Sequence, residues 1–99
     1  SQNARAAMQF FESKGLSKEH SAGIVGNLQA ESGVNLNPAA IGDGGAAWGI
    51  AQWHPDRRKI WEDANNKTWQ ADGTSPGFAE QLQFIVYELN RTESNTNNN

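Results

Sequence analysis

The 99-residue chain has no cysteine. Disulfide scaffolds, thiol nucleophiles and Cys-ligated zinc are therefore excluded, while the compartment stays open, because secreted proteins need no disulfide. Histidine is nearly as scarce, with only His20 and His54, far apart in the chain. No His-x-x-x-His or Asp-x-Asp-Gly pattern occurs, so neither a metal site nor a cofactor is expected. The glycines at 42, 44, 45 and 49 complete no dinucleotide fingerprint, and no Gly-Lys-Ser/Thr follows them. A Gly-x-Ser-x-Gly elbow is also missing, which argues against serine hydrolase chemistry. No run is long and apolar enough for a membrane span or the apolar part of a signal peptide. Work outside a cytoplasm would then depend on delivery by something other than a signal in this chain. Basic charge is short too. A formal net charge of -3 argues against a nucleic-acid partner, which needs a basic face. The one basic cluster, Arg57-Arg58-Lys59, reads as a solvated helix face.

Hydrophobic residues make up 36% of the chain, which is low, but four Trp and four Phe supply large surfaces to bury. One compact domain is expected. Its first helix spans 3–14, with Ala7, Phe10 and Phe11 inward and Gly15 at its end. Ser17 is a good N-cap for a second helix over 18–31. That helix turns Ala22, Val25, Leu28 and Ile24 inward, and Gly23 and Gly26 suggest close packing against a neighbour. Residues 32–47 read as a loop with a turn at Asp43-Gly44. "WGIAQW" (48–53) reads as a short strand. A third helix covers 54–66, with Pro55 in its first turn and Ile60, Trp61 and Ala64 inward. A polar connection leads to a fourth helix, opened by Ser75 and Pro76, with Phe78, Leu82, Ile85, Val86 and Leu89 inward. The domain is thus 3–90, mainly α (α+β), with a short β-hairpin or loop. The Asn-rich tail, 91–99, is expected to be disordered.

The residue most in need of an explanation is Glu31, in "NLQAESG". A helix C-terminus disfavours negative charge, and a cleft would disfavour it further. A carboxylic acid kept protonated is what a general acid requires. Asp43 is the second carboxylate, and glycosidases commonly pair an acid with a base or nucleophile. A turn opposite the end of the second helix would set it across a cleft from Glu31. Trp48, Gln52 and Trp53 suit a sugar site, since indoles stack on sugar rings and an amide bonds sugar hydroxyls. On a strand, Trp48, Ile50 and Gln52 share one face, with Gly49, Ala51 and Trp53 on the other. One tryptophan is then core and the other cleft, Trp53 being the better core candidate. Tyr87, on the last helix, completes the set of candidate substrate contacts. His54, beside Pro55, reads as an N-cap-region residue rather than a base.

Together, "AGIVGNLQAESG", "GDGG" and "GIAQWHPDRR", in that order and at close spacing, resemble the phage tail lysozyme family. "FAEQLQFIVYELN" is similar to that family's next helix, and the likeness runs from about Ala4 to Leu89. It implies a lysozyme-like fold whose hairpin forms one side of a cleft. It also implies relation to goose-type lysozymes and lytic transglycosylases. In that family the glutamate of "ESG", here Glu31, is the general acid, and "GIAQW"-like segments line the cleft. Trp48, Ile50 and Gln52 become substrate contacts by that likeness. Asp43 gains less, because the second carboxylate varies. The implied activity is cleavage of the β-1,4 bond between N-acetylmuramic acid and N-acetylglucosamine. Lytic transglycosylation and a non-catalytic glycan-binding baseplate module are the alternatives. Peptidoglycan strands are the implied partner, with other tail or baseplate proteins or a larger parent chain carrying further helices. The implied location is the phage virion, acting in the periplasm or cell wall.

Overall fold

A computed structural model of the chain describes residues 1–97, with side chains described through residue 93. Four helices are present among these residues: α1 (Gln2–Ser13), α2 (Lys18–Ser32), α3 (Pro55–Asn65) and α4 (Phe78–Asn97). Two short strands, β1 (Ile41–Gly42) and β2 (Ala47–Trp48), lie between α2 and α3. They pair antiparallel, Ile41 opposite Trp48 and Gly42 opposite Ala47, around a 3₁₀ turn at Asp43–Gly45. The result is mainly helical with a small hairpin, as the sequence predicts.

Local chemistry sets the helix starts. The Ser1 hydroxyl accepts from the Ala4 amide at 3.1 Å, and that of Ser17 accepts from the His20 amide at 3.0 Å. Pro55 occupies the first position of α3, where its missing N–H costs nothing. At the end of α2, Gly33 takes φ 94°, a conformation that side-chain-bearing residues rarely adopt, and turns the chain away from Glu31.

The core joins α1 and α2, through Ala7, Phe11, Val25 and Leu28, to an aromatic cluster beneath the hairpin. Trp53 packs against Trp69 and Phe84 with ring centroids 5.1 and 5.5 Å apart, and Trp61 meets Trp69 edge-on at 5.3 Å. The inner face of α2 differs from the expectation: Ser21 is buried and Ala22 is exposed. Gly23 and Gly26 do not pack closely, because a Cβ at either would meet nothing within 4 Å. In α3, Ala64 is exposed and Arg58 is buried in its place. The basic cluster is therefore not a solvated face, and only its Lys59 is exposed.

The helix α4 also runs beyond the limit that composition predicts. It continues to Asn97, and residues 98–99 of the expected tail lie outside the described part. The reason is propagation. Once a helix is anchored, each added residue gains a hydrogen bond, and ordinary polar residues cost less than about 0.7 kcal/mol in propensity.

A single buried amide joins α4 to the hairpin region. Gln81 has no exposed surface. Its Oε1 accepts from the Ile50 amide at 2.9 Å, and its Nε2 donates to the carbonyls of Pro38 and Pro76, both at 3.0 Å. Gly49 lets this approach happen, since a Cβ there would lie 2.8 Å from Gln81 Oε1 and 3.1 Å from the Trp53 ring. A buried group left unpaired costs roughly 1–3 kcal/mol. Gln81→Leu orphans the Ile50 N–H and two carbonyls, so it should lower stability by about 3 kcal/mol or more. Urea unfolding should show this as a lower midpoint with an unchanged slope.

Candidate active site

Glu31 is the penultimate residue of α2. Its carboxyl is exposed and makes no hydrogen bond or ion pair among the described residues. The groove where α2, α3 and α4 meet is lined by Leu28, Ala51, Arg57, Ile85, Glu88 and Thr92 among others, and does not include Glu31. The backbone beyond Glu31 is nonetheless well fixed. Asn37 N–H bonds to the Ser32 carbonyl, Ala40 N–H to the Asn37 carbonyl, and Gly49 N–H to the Ala40 carbonyl at 2.8 Å. This hydrogen-bonded path ties the end of α2 to the hairpin.

Asp43 leads the turn between β1 and β2, with φ 50°. Its Oδ2 lies 3.0 Å from His54 Nε2, with the Asp43 side chain mostly exposed and that of His54 about half exposed. The turn backbone is held by other groups. Ala46 N–H bonds to the Asp43 carbonyl at 3.1 Å, and Trp48 Nε1 donates to the Gly45 carbonyl at 2.7 Å. No hydrogen bond or ion pair links Asp43 to Glu31 among the described residues.

Trp48 is half-buried, and Arg58 lies over its ring with Cζ 3.8 Å from the centroid. The same guanidinium donates to the carbonyls of Ala46, at 2.6 Å, and Trp53. Burial pulls the Arg58 pKa below its ordinary value, opposed by the negative charges of Glu62 and Asp56. The group stays protonated, since arginine starts so far above neutral pH. Arg58 thus fixes the plane of the indole and closes both ends of the segment that follows it.

That segment, 48–53, is a tight reversal rather than a strand. Trp48 and Trp53 exchange backbone hydrogen bonds at 3.0 and 2.9 Å, and Gln52 N–H returns to the Gly49 carbonyl at 3.1 Å. Alternating faces therefore do not apply. Ile50 and Trp53 have no exposed surface. Both are core residues here, which corrects their assignment as substrate contacts and agrees with the core reading of Trp53. Trp53 Nε1 donates to Glu88 at 2.9 Å, and Arg57 grips the same carboxylate with two bonds of 2.9 and 2.7 Å. Gln52 is half-buried, and its amide nitrogen donates to the Ala40 and Gly49 carbonyls. It clips the hairpin from inside.

Tyr87 is exposed on α4 and stacks on Phe84 at 6.0 Å. It lines a groove with Trp61, Ala64, Asn65, Glu80 and Gln83 that contains none of the other candidates. The structure therefore gathers Asp43, Trp48 and Gln52 on one hairpin tied to the end of α2, and sets Tyr87 apart. Sequence reasoning missed three residues that build this arrangement, Arg58, Gln81 and Glu88, and placed His54 at the start of α3, where it stands as the N-cap. Gln81 and Glu88 left a signal, as polar positions within the apolar stripe of α4.

Comparison with known proteins gives one result. The family model described as phage tail lysozyme matches residues 2–99. Neither the curated proteins nor the solved structures include a match to the chain.

The two arginines should differ in weight. Arg58→Met leaves two carbonyls without their donor and should cost about 2–4 kcal/mol. Arg57→Met breaks a half-exposed pair and should cost about 1 kcal/mol or less. Urea midpoints of the two variants, measured side by side, check the difference.

Proposed function

Since the chain belongs to the phage tail lysozyme family, we propose that it is a muramidase with Glu31 as its general acid. Membership supports the coarser statement, lysozyme-like degradation of peptidoglycan by a protein associated with the phage tail. The bond we assign is the β-1,4 linkage between N-acetylmuramic acid and N-acetylglucosamine.

One observation carries the residue assignment. Glu31 is an exposed carboxyl without a partner among the described residues, in the last turn of α2, on backbone that is tied to the hairpin. Glu88 is engaged with Trp53 and Arg57, whereas Glu12 and Glu19 are exposed without a hydrogen bond or ion pair among the described residues, so what sets Glu31 apart is its place at the end of α2. Glu31 stabilises nothing that the fold needs, at a helix end where the free carbonyls disfavour a carboxylate. A glycan lying against this turn would displace the water that now solvates it. Glu31 then gives its proton to the departing glycosidic oxygen as the C1–O bond breaks through an oxocarbenium-like state. Asp43 acts as base. It takes a proton from a water on the opposite face of the ring, and the hydroxyl adds to C1. The products are a free 4-hydroxyl and a reducing end. Trp48, held in plane by Arg58, offers an aromatic edge to the sugar, and Gln52 keeps the hairpin closed beneath it.

A second reading needs no second carboxylate. Glu31 alone suffices for lytic transglycosylation, acting first as acid and then as base on the muramyl 6-hydroxyl. In either reading the protein works from the virion tail or baseplate on the cell wall, beside other tail proteins or within a larger parent chain.

Mass spectrometry of fragments released from purified peptidoglycan tests these readings. The wild-type chain should release muropeptides with reducing ends. Glu31→Gln should reduce release by about 100-fold or more, from the lower end of the range for loss of a general acid upward, while leaving the melting temperature unchanged. Anhydro products, lighter by one water, would replace hydrolysis with transglycosylation. Equal release by Glu31→Gln would refute the acid assignment. Glycan binding without release by either protein would favour a non-catalytic baseplate module.

A further inference from the structure

Among the described residues the Asp43 carboxylate has one side-chain partner, His54, and the geometry points to His54 as a positioning residue for Asp43. This inference rests on the reading of Asp43 as the second carboxylate.

His54 occupies the N-cap of α3, yet its side chain makes no capping bond. The imidazole serves nothing in its own helix. Its Nε2 instead reaches across to Asp43 Oδ2 at 3.0 Å. The two residues are brought together by the Trp48–Trp53 reversal, which folds the chain back so that the first residue after it faces the turn between β1 and β2. The turn does not need the contact for its own closure. The Asp43 carbonyl, the Gly45 carbonyl and the Ala46 carbonyl are each held by Ala46, Trp48 and Arg58 respectively. His54 therefore fixes the direction of a side chain whose backbone is already fixed.

Orientation is what a base at this position requires. A carboxylate on an exposed turn samples several rotamers, and a 1 Å misplacement of a reacting group can cost about 100-fold in rate. With Nε2 lying 3.0 Å from Oδ2, Oδ1 is left to bind the attacking water. The Asp43 side chain is mostly exposed and the His54 side chain about half so.

The test combines kinetics on soluble, uncrosslinked peptidoglycan strands with nitrogen NMR of the imidazole. Four variants are compared: His54→Gln, His54→Leu, Asp43→Asn and the double His54→Leu/Asp43→Asn. His54→Leu should lower kcat by about 10- to 100-fold, by the misplacement argument, with KM nearly unchanged. His54→Gln, whose amide can donate in place of Nε2–H, should recover most of the loss. In the Asp43→Asn background, His54→Leu should have no further effect. The imidazole of the wild-type protein should carry its proton on Nε2, and Asp43→Asn should shift that resonance. Full activity in His54→Leu beside an inactive Asp43→Asn would overturn the role of His54 and leave Asp43 in place. Full activity in Asp43→Asn would overturn the reading of Asp43, and the role of His54 with it. Imidazole resonances unmoved by Asp43→Asn would refute the pairing itself.

Discussion

Everything on the hairpin side of the molecule depends on the buried Gln81 amide. It replaces water for the Ile50 N–H and for two proline carbonyls in a place with no solvent. These groups belong to three separate stretches of irregular backbone, which no ladder or helix could satisfy. A fully paired amide in such a site fixes the register of all three stretches, because any slip would orphan polar groups at several kcal/mol in total. The Trp48–Trp53 reversal takes its place from this anchor, and the turn carrying Asp43 takes its place from the reversal.

The polar interactions of the chain divide into two kinds. Gln81, Arg58, Gln52 and Glu88 are buried or partly buried and satisfied, and they hold backbone or indole groups of the hairpin and its flanks. Glu31, Asp43 and His54 are exposed, and none of them supports the core. A fold that needs no work from its exposed carboxylates leaves them free for chemistry. Arg58 sits at the boundary of the two kinds. It satisfies two carbonyls and at the same time orients Trp48, so that the stability of the reversal and the posture of the indole are coupled through one guanidinium.

The helices were legible because their signals are local. Ser17, Gly15, Gly33 and Pro55 announce starts and stops, and the apolar spacing of α1 and α4 gives their inner faces. The reversal at 48–53 was not legible as such. Six residues that read as an alternating strand close instead into a turn, with Gly49 and Gln52 at positive φ, because Gln81 from a distant helix supplies a partner there. Glu31 was located correctly at a helix end, but its exposure depends on what packs nearby, which periodicity does not report. Arg58 was hidden in a run of three basic residues whose outer members dominate the reading. Trp69 was hidden in a polar connection, although it stands at the centre of the aromatic cluster. The pairing of Asp43 with His54 joins residues whose types gave no motif, and only the reversal brings them within reach.

The central claim is that the end of α2 and the hairpin form one glycan site. Amide NMR of the Glu31→Gln protein, titrated with soluble peptidoglycan strands, tests it most directly. The account predicts that shifts concentrate at residues 31–34 and 42–48, with little change around Tyr87. Shifts confined to the groove between α3 and α4, with the end of α2 and the hairpin unmoved, would contradict it.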